Sequence, residues 1–249
     1  MVDAPAAVEF QHVTKSFGAR RVLDDVNFQI DAGRSICILG RSGTGKSVTL
    51  KHVVGLLTPD SGHVLVEGEN ISRLSSRDLS RVRQRIGFVF QNAALFDSIP
   101  VGANVEFPMR RHTKLSEGEI VARARQLLAQ VGLEREYDTM PADLSGGMRK
   151  RAGLARALAL EPAILLVDEP SAGLDPVTAA EIDALLVALR DRSQTTLLVV
   201  THNIPSARAI GHELIFLDQG RIIAQGTPAA LEASDNPLVR QFMSSEGGG

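Results

Sequence analysis

The chain has 249 residues, 44% of them hydrophobic, with a formal net charge of -2, which suits one large globular domain or two small ones. Nucleic-acid-binding proteins are usually basic, so this slightly acidic balance argues against nucleic acid as a partner. No apolar run approaches the ~18 residues of a membrane span, and the N-terminal stretch does not have the pattern of a signal peptide, so we expect the chain to stay in the cytoplasm.

The first elements along the chain are two predicted strands separated by a turn. Residues 8–13 and 22–30 alternate apolar and polar side chains, as half-buried strands do. Between them, residues 15–21 are predicted to form a turn that carries Phe17. This aromatic ring could stack on a nucleotide base or belong to the core, and the spacing does not decide between the two.

A third predicted strand, residues 35–39, contains the only cysteine, Cys37, for which we expect a buried and unreactive role. It leads into residues 40–47, Gly-Arg-Ser-Gly-Thr-Gly-Lys-Ser, which match G-x-x-x-x-G-K-[ST] at every fixed position. The backbone N–H groups of such a loop and the positive end of the following helix attract phosphate. Lys46 is expected to reach the β- and γ-phosphates and Ser47 to bind Mg²⁺.

The middle of the chain is predicted to be largely helical. Residues 74–85 are polar and basic and predict an exposed helix, and the strand after them ends at Gln91. Gln91 could bind Mg²⁺ or simply begin a solvated loop, and the residues alone favour the loop. Residues 93–108 contain two prolines and are predicted to be irregular, whereas Ser116 is a good N-cap for a helix that Gly132 ends.

Residues 144–151 open with Leu-Ser-Gly-Gly and lead into an Ala- and Leu-rich helix that is predicted to reach residue 160. Ser145, Gly146 and Gly147 would give this helix an anion-binding N-terminus. A plain serine N-cap beside a glycine-rich loop explains the same residues, and in isolation it is the better explanation.

An apolar run, residues 163–167, ends in Asp168 and Glu169. A buried parallel strand has this pattern, and ligands bind at the carboxyl ends of such strands. Asp168 is placed to hold Mg²⁺ through water, and Glu169 to take a proton from an attacking water. Another apolar strand, residues 195–201, ends at His202, and a histidine at that edge is a catalytic candidate although a lone histidine is more often structural.

The remaining elements are predicted from turn and capping residues. Residues 177–190 are predicted to be helical, and residues 213–218 and 221–224 flank Gln-Gly and predict a hairpin. Short helices are predicted at residues 227–233 and 237–243, and the glycine-rich end of the chain is expected to fray.

Taken in order, these motifs resemble the ATP-binding subunits of ABC transporters, over residues 8–233. Leu-Ser-Gly-Gly, residues 144–147, makes the resemblance specific because other P-loop ATPases lack it. It implies an α/β fold of the P-loop NTPase class: a RecA-like core with a mostly parallel sheet, an N-terminal antiparallel β subdomain and a helical subdomain at about residues 92–160. The ATP-binding domain would span residues 7–233, followed by a short, partly disordered tail, residues 234–249.

The resemblance also implies roles for individual residues. The implied ATP contacts are Phe17 and Val22 on the adenine and Gly40, Arg41, Ser42, Gly43, Thr44, Gly45, Lys46, Ser47 and Val48 on the phosphates. The implied magnesium ligands are Ser47, Gln91 and Asp168, and the implied catalytic residues are Lys46, Gln91, Glu169 and His202. The family usually has Tyr in place of Phe17, and Thr is common in place of Val48. Because the family uses backbone N–H contacts near Val48, we expect ATP binding to survive that departure.

In this family a second subunit completes each ATP site. The implied contacts in trans are the signature residues Leu144, Ser145, Gly146, Gly147 and Met148, the last where Gln is commonest, together with Asp175 of the D-loop. The resemblance therefore implies a head-to-tail homodimer around two ATPs with Mg²⁺, which is compatible with two-fold symmetry. It also implies a pair of integral-membrane permeases and a peripheral position on the cytoplasmic face of the inner membrane.

Residues 40–52, 94–98 and 145–158 look like the Mla/Mce-type ATPases, which work with a permease pair and a lipid-binding Mce-type protein to move phospholipid across the cell envelope. The main alternative within transporters is import of a small polar solute. A non-transport ABC ATPase of DNA repair or translation is disfavoured by the single phosphate loop and the absence of a coiled-coil insertion. A non-hydrolysing regulatory subunit is disfavoured because Lys46, Glu169 and His202 are all present.

Three apolar residues follow Gln91 closely: Leu95, Phe96 and Ile99. They could pack in the core of the domain, or Leu95 or Phe96 could line an exposed apolar groove. In ABC transporters such a groove receives a short cytoplasmic helix of the permease, and here it would lie beside Gln91.

Overall fold

The computed structural model describes residues 5–244, which form two β-sheets and a set of packed helices. The strands are β1 (Val8–Phe17), β2 (Arg20–Ile30), β3 (Ser35–Leu39), β4 (Ser61–Val66), β5 (Glu69–Asn70), β6 (Ile86–Val89), β7 (Ile164–Asp168), β8 (Thr196–Val200), β9 (Glu213–Asp218) and β10 (Arg221–Gly226). The helices are α1 (Lys46–Val53), α2 (Ser76–Gln84), α3 (Val101–His112), α4 (Glu117–Gln130), α5 (Gly146–Ala157), α6 (Pro176–Ser193), α7 (Ile204–Ile210), α8 (Pro228–Glu232) and α9 (Pro237–Ser244).

The larger sheet has the strand order β10-β9-β3-β8-β7-β6, and all of its neighbours are parallel except the β9–β10 hairpin. β3, β7 and β8 are buried along their whole length, as their unbroken apolar sequences predict. Residues alternate along β3 between two hydrophobic cores, with Cys37 and Leu39 in one and Ile36 and Ile38 in the other. The sheet is therefore covered on both faces, as the predicted α/β class requires.

The smaller sheet is antiparallel, with the order β2-β1-β4-β5, and confirms the predicted N-terminal β subdomain. The turn predicted for residues 15–21 is wrong in extent. The strands continue until Phe17 pairs with Arg20, and only Gly18 and Ala19 turn the chain. This end of the hairpin is exposed, so it carries no apolar alternation that would have marked it as strand, and Gly18 at φ 59 allows the tight turn.

The irregular region predicted for residues 93–108 is also wrong, because α3 occupies its second half. Val101, Val105 and Met109 are fully buried at a spacing of four residues and form the packed face of this helix. Each buried side chain of this kind contributes about 1.5–3 kcal/mol, so together they exceed the ~3 kcal/mol that Pro108 costs inside a helix. The apolar stripe outweighs the proline, and α3, α4 and α5 pack together as the helical subdomain.

Two elements near the C-terminus complete the fold. α7 was not predicted, and it begins where the Asn203 side chain accepts from the N–H of Ser206, an asparagine N-cap directly after His202. In the predicted tail, α9 buries Val239 and Met243 against the main core. Of the end that was expected to fray, residues 245–249 lie outside the described residues.

α4 starts at a complete capping box. The Ser116 hydroxyl accepts from the N–H of Glu119, and the Glu119 carboxylate accepts from the N–H of Ser116 at 2.7 Å. Two N–H groups that would lack a partner in the first turn are thereby satisfied.

We expect Ser116→Ala to lower the free energy of unfolding by about 1 kcal/mol, because the hydroxyl acceptor of the capping box is lost. Chemical denaturation followed by circular dichroism measures the change. Ser98→Ala, in an exposed loop, is the matched control and should stay within about 0.5 kcal/mol of the original chain. Equal losses in the two variants would contradict the role of the box.

Candidate nucleotide site

The phosphate loop joins β3 to α1, and two glycines fix its shape. Gly40 has φ 155 and Gly45 has φ 109, conformations that residues with a side chain rarely adopt. A Cβ at Gly40 would lie 2.3 Å from the Leu217 carbonyl oxygen, and one at Gly45 would lie 2.7 Å from that of Val22. The loop can therefore approach β9 and β2 only with glycine at both positions.

Lys46 lies at the base of the loop with its side chain 7% exposed. Its Nζ donates to the carbonyl oxygens of Gly40 at 2.8 Å and Arg41 at 3.1 Å, and it lies 3.8 Å from Oε1 of Glu169. Burial lowers the pKa of Lys46, and the nearby carboxylates of Glu169 and Asp168 act in the opposite direction. The ammonium is thus held between the loop and two acids.

Ser47 and Asp168 meet directly, although they are 121 positions apart in the sequence. The Ser47 hydroxyl donates to Oδ1 of Asp168 at 2.9 Å. Burial raises the pKa of Asp168, which is 8% exposed. Within residues 5–244 no group of three or more His, Cys, Asp or Glu side chains could hold a metal, so a cation here would also need hydroxyl, amide or nucleotide oxygens.

Glu169 and His202 are also paired. Oε2 of Glu169 lies 2.8 Å from Nδ1 of His202 and 3.3 Å from the His202 backbone N–H, and the Glu169 N–H donates to the Val200 carbonyl. Glu169 adopts φ 48, in the left-handed region that residues with a side chain rarely enter. This strain is not visible in the sequence, and residues held in such conformations cluster at functional sites.

A cavity of about 620 Å³ brings most of the predicted residues together. Its lining comprises Phe17, Val22, Ser42, Gly43, Gly45, Lys46, Ser47, Val48, Gln91, Glu169 and His202, with Arg20 in addition. The core interpretation of Phe17 is wrong, because this ring is 49% exposed and lies at the wall of the cavity. Arg20 was missed, and its guanidinium donates to the Gly43 carbonyl at 2.8 Å. The available signal was its position three residues after Phe17, the residue expected to contact the base.

Other predicted residues support the cavity from outside its lining. Gly40, Arg41 and Thr44 shape the loop, and the Thr44 hydroxyl donates to the Arg41 carbonyl at 2.9 Å. Asp168 lies behind Ser47. A larger cavity, about 700 Å³, lies at the opposite edge of the sheet and contains none of the predicted site residues.

The residues predicted to act in trans do not reach this cavity. Ser145 is exposed and caps α5, accepting from the Met148 N–H at 3.2 Å. Asp175 is exposed and caps α6 by accepting from two backbone N–H groups. Leu144 and Gly147 are buried beneath them, and Gly146 is exposed. One copy of the chain therefore does not bring the two motifs together.

Residues 23–172 match the family model described as ABC transporter. The chain is 44% identical to the probable ribonucleotide transport ATP-binding protein mkl of Mycobacterium leprae, over 95% of this chain and 68% of that protein. It is 38% identical to the intermembrane phospholipid transport system ATP-binding protein MlaF of Haemophilus influenzae, over 97% of this chain and 92% of that protein. A solved dimeric ATP-binding cassette, in a post-hydrolysis state with ADP and Pi, is 35% identical with a TM-score of 0.83, over 88% of this chain and 98% of that one.

The fold and the site together define a P-loop ATPase, and the matches specify which kind. The chain belongs to the ABC transporter family and is one of its ATP-binding, ATP-hydrolysing subunits. None of the helices within residues 5–244 is long and apolar enough to cross a membrane.

We expect Lys46→Ala to weaken ATP binding at least about tenfold, because a hydrogen bond to a charged group contributes about 1.5–3 kcal/mol. Calorimetric titration of the full chain with ATP measures the affinity, and a melting curve checks the fold. Lys114→Ala, in the loop between α3 and α4, is the matched control and should bind as the original chain does. Unchanged affinity in Lys46→Ala would show that ATP does not bind at this loop.

Proposed function

We propose that this chain is the ATPase subunit of a transporter that moves phospholipid across the cell envelope. The observation that carries the proposal is the near full-length match to two MlaF proteins, of Haemophilus influenzae and Escherichia coli, which are named for phospholipid transport. The identities are 38% and 37%, over 92% and 88% of those proteins. An Arabidopsis thaliana relative at 39% identity, TRIGALACTOSYLDIACYLGLYCEROL 3, also carries a glycerolipid name.

The second candidate cargo is a ribonucleotide, which is the small polar solute named for the mkl proteins at 44% identity. Their higher identity does not decide the cargo, because an ATPase subunit contacts ATP and its permease rather than the transported molecule. The chain also spans only about two thirds of the length of the mkl proteins, against about nine tenths of the MlaF proteins.

Purification of the tagged chain from membranes tests the cargo. We expect a permease pair and an Mce-domain lipid-binding protein to copurify. The reconstituted complex should then transfer a fluorescent phospholipid between vesicles when ATP is supplied, and a Glu169→Gln complex should not. ATP-dependent uptake of a labelled ribonucleotide, without lipid transfer, would refute the phospholipid proposal in favour of the second candidate.

The oxygen donors of the site suit Mg²⁺. Ser47 and Asp168 already contact each other, and Gln91 lies at the same cavity, so a hydroxyl, a carboxylate and an amide are available. When bound between them and the phosphates, Mg²⁺ would offset the negative charge of the nucleotide. Burial raises the pKa of the Asp168 carboxylate, and a bound cation would stabilise its ionised form.

His202, Glu169 and Lys46 have different roles in the proposed hydrolysis. A carboxylate only accepts hydrogen bonds, so Nδ1 of His202 donates to Oε2 of Glu169, and Nε2 would donate to the γ-phosphate only in a ring that carries a proton on both nitrogens. Glu169 is thereby oriented, and its Oε1 faces Lys46 at 3.8 Å. We assign Glu169 as the acceptor of the proton from the attacking water, and Lys46 as the cation on the terminal phosphates.

The active form in this proposal is a head-to-tail homodimer that encloses two ATPs. Ser145 and Asp175 support it because both are exposed, lie at helix N-termini and remain away from their own chain's cavity. Solved cassettes with a TM-score of 0.83 to this chain are dimeric. A second copy would bring the N-terminus of α5, where anions bind favourably, to the γ-phosphate held by the first.

We expect Glu169→Gln to bind ATP but to hydrolyse it about 10²–10⁴ times more slowly, because Gln keeps the shape and loses the base. ATP should then trap the dimer, which light scattering detects. The control is the same measurement without nucleotide, in which the variant should remain monomeric. Steady-state hydrolysis near that of the original chain would refute the assignment of the base.

The proposed permease contact is an exposed aromatic surface beside Gln91. Phe96 is 44% exposed, and its ring centre lies 4.9 Å from that of Phe107, which is 45% exposed. Leu95 instead packs partly into the core. The core interpretation therefore applies to Leu95 and the exposed-surface interpretation to Phe96. Phe90, directly before Gln91, is also exposed. We propose that this surface binds a short permease helix on the cytoplasmic face of the inner membrane.

We expect Phe96→Ala to leave ATP binding by the isolated subunit intact and to weaken assembly with the permease. A buried interface anchor commonly costs about 2 kcal/mol when truncated, which is roughly thirtyfold in affinity. Pull-down with the permease measures assembly. Leu56→Ala, at an exposed apolar residue elsewhere, is the matched control. Undiminished pull-down would exclude the docking role, and a collapse of the melting temperature would show that Phe96 acts by stabilising the fold instead.

A further inference from the structure

Lys150 makes an unusual set of contacts from within α5. Its ammonium donates to three backbone carbonyl oxygens of one short segment: those of Glu169 at 3.1 Å, Pro170 at 2.9 Å and Ala172 at 2.7 Å. An ammonium has three N–H groups, so each of them has a partner. Three carbonyl groups of the segment that follows β7 thus bind one side chain of the helical subdomain.

The first of these carbonyls belongs to the strained residue of the site. The backbone N–H of Glu169 is held by Val200 in β8, and its carbonyl accepts from Lys150 and, at 3.3 Å, from the Ala172 N–H. A residue at φ 48 keeps that conformation only when its surroundings hold it. On the carbonyl side of Glu169, the Ala172 N–H belongs to the same turn. Lys150 is therefore the contact from another element that holds this carbonyl.

We propose that Lys150 is a positioning residue that fixes the backbone of Glu169 and so aims its carboxylate at the attacking water. The inference rests on the proposed role of Glu169 as the base. Lys150 is five residues beyond Ser145 on the same helix, so a shift of α5 would also move the carbonyl of Glu169. The orientation of the signature helix and the geometry of the base in the same chain are therefore coupled.

The charge of Lys150 is consistent with this role but does not define it. Burial lowers the pKa of Lys150, and the negative charge of Glu169 partly offsets that effect. A lysine that only stabilised the fold would affect melting, whereas a positioning residue must change the rate of the chemical step at unchanged substrate binding. The two roles are separable by experiment.

The chain permits a chemical rescue at this position. In Lys150→Cys the ammonium is removed, and alkylation with 2-bromoethylamine then restores it as S-aminoethylcysteine, which has nearly the length of lysine. The one native cysteine, Cys37, is fully buried and burial raises the pKa of its thiol, so it should not react. Lys114→Cys, treated in the same way, is the matched control, and mass spectrometry follows the extent of modification.

ATP hydrolysis by the full chain and its variants provides the test. Because a misplacement of about 1 Å can cost ~10²-fold, we expect Lys150→Cys to lower kcat by about tenfold to a hundredfold, with the KM for ATP within about twofold. Alkylation should restore at least half of the original kcat, and Lys114→Cys should behave as the original chain before and after treatment.

Two outcomes would overturn the inference: a kcat for Lys150→Cys within about twofold of the original chain, or a reduced kcat that complete alkylation does not restore. Glu169→Gln, measured in parallel, separates this result from the proposed function. If Glu169→Gln hydrolyses ATP normally, the assignment of the base fails and the inference fails with it. If Glu169→Gln is inactive while Lys150→Cys is fully active, only the role of Lys150 is refuted.

Discussion

The site depends on one constraint: buried parallel strands of the larger sheet end at the same edge. β3, β6, β7 and β8 are hydrogen-bonded in parallel, with β6, β7, β8 and β3 as successive neighbours. Each is followed within a few residues by a group that carries the chemistry: the phosphate loop, Gln91, Asp168 with Glu169, and His202. Such strands are stable only with both faces covered, so the helices and the antiparallel sheet that cover them are a condition of the site.

The same burial that orders the strands sets the electrostatics. Two carboxylates, Asp168 and Glu169, face one ammonium, Lys46, at a place where water is largely excluded. Charges in such a place need partners, and a triphosphate would add further negative charge. Burial raises the pKa of Asp168 and the negative charge of Glu169 acts in the same direction, whereas the Ser47 hydroxyl and the ammonium groups of Lys51 and Lys46 act against it. The divalent cation proposed above would offset part of this negative charge.

The sequence was most informative where a local pattern has one structural solution. The phosphate loop, the apolar strands β7 and β8 and the capped start of α4 lie where the sequence predicted them. The errors occurred where long-range packing outweighs local signals, as in α3, whose buried stripe tolerates Pro108, and in the exposed hairpin at Phe17. Most residues that line the cavity could be anticipated from their motifs, because several of them follow the carboxyl ends of parallel strands, whereas Arg20 was missed.

Its internal contacts could not be anticipated in that way. The pairs Ser47 with Asp168, Lys150 with the Glu169 segment, and Arg20 with Gly43 are separated by between 19 and 121 positions. No periodicity encodes such contacts, because they arise only when distant elements meet. The strained backbone of Glu169 belongs to the same category, since its N–H donates to Val200 of β8 and its carbonyl accepts from Lys150 of α5.

The two motifs that stay outside the cavity are joined to each other. A Cβ at Gly147 in α5 would lie 2.5 Å from Cγ2 of Thr178 in α6, and the hydroxyl of Thr178 donates to Asp175 at 2.6 Å. The signature helix and the D-loop helix thus pack in direct contact at their N-termini, where the first N–H groups have no partner within their helix. A phosphate that binds at the N-terminus of α5 and shifts this helix would therefore also displace α6. Through Lys150, it would displace the segment that contains Glu169. In the proposed dimer, contact with a second copy's nucleotide would therefore act on the geometry of the proposed base, Glu169, in the same chain.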